Sequence, residues 1–338
     1  MEDIGRIGVE RYCPSDYVQK NGVEMLLSIL WSLARVTYYF TVAIVSHILG
    51  IFVDTLNIFA KDNSYPLVGK VALVTGAGNG YGRSLSIFLA AEGCNVAVVD
   101  IDGEAAEATA AKLRSMDVKS VAYKVDVSDS GQVEKLHEVV VNDLGVVDIL
   151  INNAAILPLM SFREGTPSDV EKIIKVNLLG HFWTTREFLK DMIKQKRGHI
   201  VGICSGFGLY PGGRSVAYSA SKYGVRGFMS SLSEELLYNG QKDFIKTTTI
   251  FPVLMSTRKE VFDLYEKLKI SDKLACLTPN YAAQMTVKAI KSGAELMSLP
   301  KGFVTLMTLA SLLPTSIRER IVFGFMEGKV PQIHPHNF

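Results

Sequence analysis

Tyr218 and Lys222 are the residues whose types and spacing most clearly suggest chemistry. Residues four apart lie on one face of a helix, so the ammonium can lower the pKa of the phenol towards a value useful for proton transfer. Ser205 follows the apolar run His199–Cys204, and its hydroxyl can hold a substrate oxygen beside that phenol. A lone Tyr-x-x-x-Lys pair is common on amphipathic helices, so this interpretation depends on the elements that position the pair.

A glycine-rich turn lies upstream of these residues. Residues 75–82 read Thr-Gly-Ala-Gly-Asn-Gly-Tyr-Gly, between the apolar run Val71–Val74 and the helical pattern Ser84–Glu92. Strand, glycine-rich turn and helix form the context of a dinucleotide site, because glycines let the backbone approach a pyrophosphate and the helix N-terminus offers free N–H groups. The residues predicted to contact the dinucleotide in this turn are Gly76, Asn79, Gly80, Tyr81 and Gly82.

The second predicted strand favours NAD over NADP. The run Asn95–Val99 ends at Asp100, whose carboxylate can accept both ribose hydroxyls of NAD and would repel a 2′-phosphate. Asn79 and Tyr81 put no cation in the turn to offset that repulsion. Without the glycines, a solvated carboxylate at a strand end would explain Asp100 about as well.

Taken in order, these and further motifs make the segment from Val68 to Leu299 resemble a short-chain dehydrogenase/reductase. The turn matches that family's Thr-Gly-x-x-x-Gly-x-Gly, and Ser205, Tyr218 and Lys222 match its catalytic positions. The other matching positions are Asp126-Val127, Asn152-Asn153-Ala154-Ala155, Asn177, and Pro252 with Thr257. Seven matches in the right order are far more specific than any one of them.

The resemblance implies a Ser-Tyr-Lys-Asn catalytic set. Tyr218 would be the acid and base, Ser205 would position the substrate oxygen, and Lys222 would lower the pKa of the tyrosine and bind the nicotinamide ribose. Asn177 would order a water that relays the proton. The residues implied to bind the cofactor beyond the turn and Asp100 are Asp126, Val127, Asn153, Ala154, Tyr218, Lys222, Pro252 and Thr257.

Two positions depart from the family pattern. Ala155 and Val253 stand where the family usually has glycine, and either side chain could crowd the cofactor or the wall of the active site. Neither change removes a catalytic group, so we interpret both as tuning of the site.

A closer resemblance points to a lipophilic substrate. The segments Val176–Trp183, Gly198–Val201 and Phe251–Val253 are similar to the membrane-associated branch of the family, which holds epidermal retinol dehydrogenase 2 and the type 11 and type 13 17-beta-hydroxysteroid dehydrogenases. The resemblance implies an NAD-dependent oxidoreductase that interconverts a retinoid, steroid or long-chain alcohol and its carbonyl. Two alternatives stay open: an NADP-linked ketone reductase, against which Asp100 argues, and a non-catalytic membrane or lipid-droplet scaffold, against which the intact catalytic set argues.

Composition fits an enzyme with a membrane attachment. The chain has 338 residues, 48% of them hydrophobic, and its mean hydropathy is +0.21, which suits one large α/β domain with an appendage. The net charge of +2 gives no nucleic-acid signature, so we expect no nucleic-acid partner. The four cysteines, which we interpret as reduced thiols, lack metal-ligand spacing, and no metal is expected. We expect a homodimer.

Hydropathy divides the chain into four parts. Residues 1–22 are polar, residues 23–62 form a hydrophobic membrane-anchor region, residues 63–300 form the dehydrogenase domain, and residues 301–338 form an apolar or amphipathic tail. Within the second part, Val36–Val53 has no Asp, Glu, Lys or Arg, and its eighteen residues lie at the lower limit for crossing a bilayer. A buried core helix or a dimerisation helix would also fit. We expect attachment to the endoplasmic reticulum membrane, and to lipid droplets, with the domain on the cytosolic side.

The pattern of the domain predicts an α/β fold, a Rossmann-type doubly wound parallel sheet with an N-terminal hydrophobic helical anchor. The predicted strands are Val71–Val74, Asn95–Val99, Ser120–Val125, Val147–Ile151, His199–Cys204, Lys246–Phe251 and Glu295–Leu299. Further predicted helices are Ser130–Asp143, Ser168–Gln195, Ala217–Tyr238 and Asn280–Lys291. The insertion Ser256–Leu277 has an apolar stripe and is predicted to be a substrate lid.

Overall fold

A computed structural model of the chain describes residues 22–56, 65–158, 162–211, 215–253, 255 and 277–314. The chain divides into two compact units, Met1–Asn63 and Ser64–Phe338. In the first unit, α1 (Gly22–Leu56) is a single helix whose apolar side chains from Val23 to Phe40 are largely exposed. Among the described residues, no helix combines the length and the apolar character needed to cross a membrane. Membrane anchoring by residues 23–62 stays a prediction.

The second unit contains a seven-stranded parallel sheet in the order β3-β2-β1-β4-β5-β6-β7. Its strands are β1 (Val71–Thr75), β2 (Asn95–Asp100), β3 (Ser120–Lys124), β4 (Ile149–Asn152), β5 (Gly198–Ile203), β6 (Ile245–Pro252) and β7 (Leu296–Leu299). The strand order reverses between β1 and β4, so the carboxyl ends of these two strands flank the crevice where such sheets bind ligands. The predicted doubly wound sheet is confirmed.

Helices cover both faces of the sheet. They are α2 (Gly80–Ala91), α3 (Gly103–Arg114), α4 (Ser130–Leu144), α5 (Pro167–Ile174), α6 (Gly180–Lys194), α7 (Val216–Tyr238), α8 (Pro279–Ser292) and α9 (Phe303–Ser311). One hydrophobic cluster joins one face of the sheet to α2, α3 and α8, and the other joins the opposite face to α4, α6 and α7. Strands that are buried on both faces explain the continuous apolar runs seen in the sequence.

Short polar side chains set where several helices begin. Asp102 accepts hydrogen bonds from the backbone N–H groups of Glu104 and Ala105 at the start of α3, and Asp129 caps α4 in the same way. Thr166 forms a reciprocal capping box with Asp169 at the start of α5. At the start of α2, Asn79 occupies the capping position but makes no side-chain cap bond, which leaves the N–H groups of that first turn to a ligand.

The long helix predicted over Ser168–Gln195 is interrupted. A π-helical turn, Lys175–Leu179, separates α5 from α6. Such turns often mark functional sites, and this one contains Asn177. Hydrophobic periodicity cannot reveal one extra residue in a turn, so the sequence showed one helix where the structure has three segments.

Some predictions fall on residues that the structure does not describe. Thr257 and most of the predicted lid Ser256–Leu277 lie outside the described residues, as does the tail from residue 315 onward. At the edges of the lid, Met255 and Leu277 form a parallel β-bridge. This bridge brings the two ends of the insertion together beside the end of β6.

Candidate active site

A cavity of about 530 Å³ opens at the carboxyl ends of the strands and is lined by residues from both sides of the crevice between β1 and β4. The sequence-predicted residues that line it are Gly76, Asn79, Gly80, Tyr81, Gly82, Asp100, Asp126, Val127, Asn153, Ala154, Ser205, Tyr218, Lys222 and Pro252. Residues that are scattered over 177 positions of sequence, from Gly76 to Pro252, are therefore brought to one cavity. Of the predicted set, Thr257 lies outside the described residues and Asn177 lies behind the cavity wall.

Close backbone packing explains two glycines of the turn. Gly76 has a left-handed backbone, and a Cβ atom there would lie 2.9 Å from the Cα of Ala154. A Cβ atom on Gly82 would lie 2.0 Å from the carbonyl oxygen of Gly76, a distance that no side chain can accommodate. The first turn of α2 thus begins directly against the end of β1, where its N–H groups face the cavity.

Asn153 fastens the loop after β4 to this turn. Its Nδ2 donates to the carbonyl oxygens of Thr75 at 2.8 Å and Gly76 at 3.1 Å. The Thr75 hydroxyl in turn accepts from the backbone N–H groups of Asn153 and Ala154, each at 3.0 Å. The amide side chain therefore shapes the floor of the cofactor site, in addition to lining it.

Tyr81 lines the cavity and belongs to the hydrophobic core. Its hydroxyl lies 2.6 Å from the Thr286 hydroxyl on α8, and the ring is 5% exposed. Burial raises the pKa of this phenol, so Tyr81 is a hydrogen-bonded core residue with no acid–base role.

Asp100 is held at the edge of the cavity by two backbone donors. Gly78 N–H donates to Oδ2 at 2.8 Å, and Asp102 N–H donates to Oδ1 at 3.0 Å. A Cβ atom on Gly78 would lie only 2.8 Å from the Ala105 Cβ and 3.0 Å from Asp100 Oδ2, so glycine is required for this contact. The carboxylate is fixed before any ligand binds.

Lys222 lies almost wholly buried beneath Tyr218 on α7. Its Nζ donates to the carbonyl oxygen of Ile203 at 2.9 Å and lies 5.7 Å from the centroid of the Tyr218 ring. Burial lowers the pKa of Lys222 to about 8. With this pKa Lys222 is mostly protonated at neutral pH, and its ammonium lies beside the Tyr218 ring.

Ser205 is oriented by the turn that follows it. Its Oγ accepts a hydrogen bond at 3.2 Å from the N–H of Phe207 in the 3₁₀ turn Gly206–Gly208. Because that bond uses a lone pair, the hydroxyl proton remains available to a substrate oxygen. The Phe207 ring meets the Tyr218 ring edge to face, with centroids 6.0 Å apart.

Asn177 is fully buried, and its side chain is committed to the protein. Its Oδ1 accepts from the Ile156 N–H at 2.8 Å, and its Nδ2 donates to the Ile156 carbonyl at 2.9 Å and to the Ser221 hydroxyl at 3.2 Å. The side chain thereby joins the π-helical turn, the loop after β4 and α7. The geometry gives the amide of Asn177 a positioning role.

Motif matching missed the apolar wall of the cavity. The further lining residues include Ile101, Val125, Ile156, Leu157, Val176, Ile203, Phe207 and Met255, together with Ala155 and Val253 at the two departures from the family pattern. Phe207 could have been found, because it lies two residues after Ser205. The others come from six separate segments and carry no shared signal in the sequence.

Two further observations concern metals and thiols. In the part of the chain that the structure describes, no three His, Cys, Asp or Glu residues are grouped to hold a metal ion. The described cysteines, Cys94 and Cys204, are buried free thiols. Cys204 lies beside Ser205, but burial raises the pKa of its thiol. Cys204 is therefore a small core residue whose side chain has little thiolate character.

Comparison with known proteins identifies relatives that cover about three quarters of the chain. Residues 70–262 match the family model described as short chain dehydrogenase. The chain is 34% identical over 251 residues to epidermal retinol dehydrogenase 2 of Homo sapiens, a match that covers 73% of this chain and 79% of that protein. It is 30% identical over 287 residues to retinol dehydrogenase 10 of Xenopus tropicalis, with 75% and 81% covered.

Solved structures share the fold. A short-chain dehydrogenase/reductase from Burkholderia phymatum, in complex with NAD, superposes with a TM-score of 0.66 at 23% identity, covering 77% of this chain and 96% of that one. A metagenomic short-chain oxidoreductase in complex with NADP gives a TM-score of 0.58 at 26% identity, covering 69% and 96%.

Proposed function

Because the chain belongs to the short-chain dehydrogenase/reductase family and is thus an NAD(P)-dependent oxidoreductase, we propose that it uses NAD to interconvert a lipophilic alcohol and its carbonyl. The observation that carries this proposal is the convergence of Ser205, Tyr218 and Lys222 on a cavity whose remaining wall is mostly apolar. A cavity with a few polar groups and an apolar wall fits a lipophilic molecule that is oriented through one oxygen.

The residues around the cavity fit NAD. Gly76 and Gly82 bring the backbone close, the first turn of α2 lacks a side-chain cap, and Asp100 stands ready for the ribose hydroxyls. Asp126, Val127 and Pro252 line the cavity where the adenine and the nicotinamide would be held. Bound NAD would supply a hydride acceptor for oxidation of the alcohol carbon, and its reduced form would supply the hydride for reduction of the carbonyl.

The chain's own residues supply the proton transfer. In oxidation, the phenolate of Tyr218 takes the proton of the substrate hydroxyl, and in reduction the phenol returns it. Lys222 favours the phenolate because its buried ammonium lies close to the ring. The Ser205 hydroxyl donates to the substrate oxygen and stabilises the charge that develops there. The Asn177 amide holds the π-helical turn against α7 through its hydrogen bond to Ser221.

The lipophilic class of substrate rests on the wall and on the relatives. Phe207, Ile156, Leu157, Val176 and Met255 offer apolar surface around the catalytic groups. Two relatives that cover most of this chain are named as retinol dehydrogenases. We therefore propose a retinoid, steroid or long-chain alcohol as the substrate. We also propose that residues 23–62 attach the enzyme to the endoplasmic reticulum membrane or lipid droplets, with the domain in the cytosol, and that it acts as a homodimer.

A cofactor and substrate screen tests the proposal. The purified full-length protein, in detergent or in phosphatidylcholine vesicles, is mixed with NAD or NADP and a panel of retinoids, steroids, long-chain alcohols and water-soluble polyols. The absorbance of the reduced nicotinamide reports turnover. We expect turnover of one lipophilic class with NAD. A clear preference for a polyol would refute the substrate class, and NAD binding without turnover of any alcohol would favour the scaffold alternative.

A further inference from the structure

We propose that α9 and the two residues after it form a second lipid-binding surface, through which the catalytic domain itself rests on a membrane beside the opening of the active site. The proposal rests on the proposed function, because it concerns how a lipophilic alcohol would reach the cavity. It is separate from the predicted anchor in residues 23–62, since it concerns the dehydrogenase domain.

An exposed leucine face carries the proposal. It consists of Leu306, Leu309, Leu312 and Leu313, which are 46%, 50%, 61% and 38% exposed. Large side chains of this kind are seldom left grouped in water, and such a patch usually marks an interaction surface. The thirteen residues from Gly302 to Pro314 include no acidic, basic or histidine residue.

The opposite face of α9 holds the helix against the active site. The Val304 N–H donates to the Ser298 hydroxyl on β7 at 3.1 Å, and the Val304 side chain packs on the core. The Phe303 ring approaches Gly206, where an added Cβ atom would lie 3.5 Å from it and 3.4 Å from the Val253 Cα. Gly206 begins the turn that orients Ser205, and Val253 lines the cavity. The leucine face is therefore fixed to the rim of the active site.

A lipid surface is the occupant that these properties favour. Protein interfaces combine apolar contacts with about one hydrogen bond per 100–200 Å², and the leucine face offers few polar groups, whereas acyl chains require none. The helix is too short to span a bilayer, but it is suited to lying in the interface. Helix α1 also exposes apolar side chains, and lipid is an occupant that suits both surfaces.

Charge substitutions in the full-length protein test the surface by activity. Leu306→Glu/Leu309→Glu places two carboxylates on the leucine face. The matched control is Leu237→Glu/Leu296→Glu, at positions that are 56% and 55% exposed elsewhere on the domain. For an alcohol dissolved in phosphatidylcholine vesicles, we expect kcat/KM of the first variant to fall roughly tenfold, because two leucines no longer enter the bilayer. Turnover of a short water-soluble alcohol, and the control variant with either substrate, should stay near wild type.

A fluorescent probe tests contact with the bilayer without relying on activity. The dye NBD is attached to Leu309→Cys, or to Leu237→Cys as the control, after Cys13 and Cys276 are changed to serine. On addition of phosphatidylcholine vesicles, the probe at residue 309 should shift to the blue and brighten several-fold, while the control probe stays in water.

The outcomes separate this surface from the proposed function. If the lipophilic alcohol is oxidised but the probe at residue 309 stays in water and the charged variant is fully active, the surface proposal is wrong while the function stands. If the probe is already shielded without vesicles, the tail or a second copy of the chain covers the leucine face, and the proposal is again overturned. If no alcohol is oxidised, the function fails, and the probe alone decides whether the face binds lipid.

Discussion

The cofactor side and the catalytic side of the cavity are built in different ways. Around the glycine-rich turn the contacts are made largely by the backbone, with Gly78 and Asp102 holding Asp100 and with Gly76 packed on Ala154. Around Tyr218 the contacts are made by buried side chains. There Lys222 is charged and 1% exposed, and both ring nitrogens of His181 have no hydrogen-bond partner among the described residues.

The cofactor side therefore depends on close backbone geometry, whereas the catalytic side depends on buried polar side chains. Backbone contacts need glycine at fixed spacings, which a motif can record. Burying Lys222 without a carboxylate partner among the described residues disfavours its charged form, and burial lowers the pKa of His181 to about 3, so that this ring stays neutral. The catalytic side thus buries an ammonium and an imidazole that lack a charged partner among the described residues, whereas the Asp100 carboxylate and the Asn153 amide on the cofactor side are hydrogen-bonded.

Removing the acid–base group should produce the largest effect, and it should lower turnover while leaving NAD binding nearly unchanged. In Tyr218→Phe the ring and its contact with Phe207 remain but the proton carrier is lost, so turnover should fall by roughly a thousandfold. NAD affinity, measured by fluorescence titration, should change by less than about twofold because phenylalanine keeps the packing. Tyr223→Phe on the same helix is the matched control, since its hydroxyl donates to the Leu209 carbonyl and does not line the cavity. Near-normal turnover of Tyr218→Phe would disprove the mechanism.

Charge at Asp100 should produce the next largest effect, and on the cofactor side alone. We expect wild type to prefer NAD over NADP by roughly a hundredfold, the scale of a few kcal/mol for juxtaposed like charges. Asp100→Asn keeps an oxygen acceptor for the Gly78 N–H but removes the charge, and Asp100→Ala removes both. If the charge of Asp100 decides the preference, the ratio of kcat/KM with NAD to kcat/KM with NADP should fall in both variants. If that ratio falls in the alanine variant alone, the geometry of the loop determines the cofactor preference. If wild type uses both cofactors equally well, the role of Asp100 is refuted.

The same division explains what the sequence could predict. Strands β1, β2, β4 and β5 were predictable because they are buried along most of their length and read as largely apolar runs. The cofactor turn was predictable from its glycines. The π-helical turn around Asn177 was not predictable, because one extra residue in a turn leaves the apolar pattern almost unchanged. The apolar wall was not predictable either, since Leu157, Phe207 and Met255 meet only after the chain folds.

A change in the apolar wall of the cavity should have a smaller effect, and it should alter substrate selectivity without changing cofactor binding. Phe207→Ala removes the ring that faces Tyr218 but keeps the backbone N–H that orients Ser205. We expect kcat/KM for lipophilic alcohols to fall about tenfold through lost aromatic contact, with KM for NAD unchanged. Phe207→Leu should restore much of the loss. An equal loss for a short water-soluble alcohol would show that Phe207 supports the catalytic groups instead of contacting substrate.

The smallest expected effect is on the free energy of unfolding, which should change with pH as Lys222 loses its proton. Burial lowers the pKa of Lys222 from 10.5 in the unfolded chain to about 8 in the folded one. Below pH 8 both states carry the charge, and the folded state bears the full cost of burying it. Between pH 8 and 10.5 the folded protein gives up its proton first. The unfolded chain then binds more protons, so stability should rise with pH across this window.

Lys222→Met removes that titration and should make the cofactor-free protein more stable at pH 7, by about 1–2 kcal/mol after the lost hydrogen bond to Ile203 is allowed for. The gain corresponds to a few degrees in Tm and should shrink as the pH approaches 10. Lys112→Met, at an exposed position of α3, is the matched control. Thermal unfolding of both variants and wild type at pH 7, 8.5 and 10 measures the difference. A Lys222→Met protein that is less stable than wild type at pH 7 would mean that the buried ammonium is well compensated. In that case the catalytic side would be built as favourably as the cofactor side.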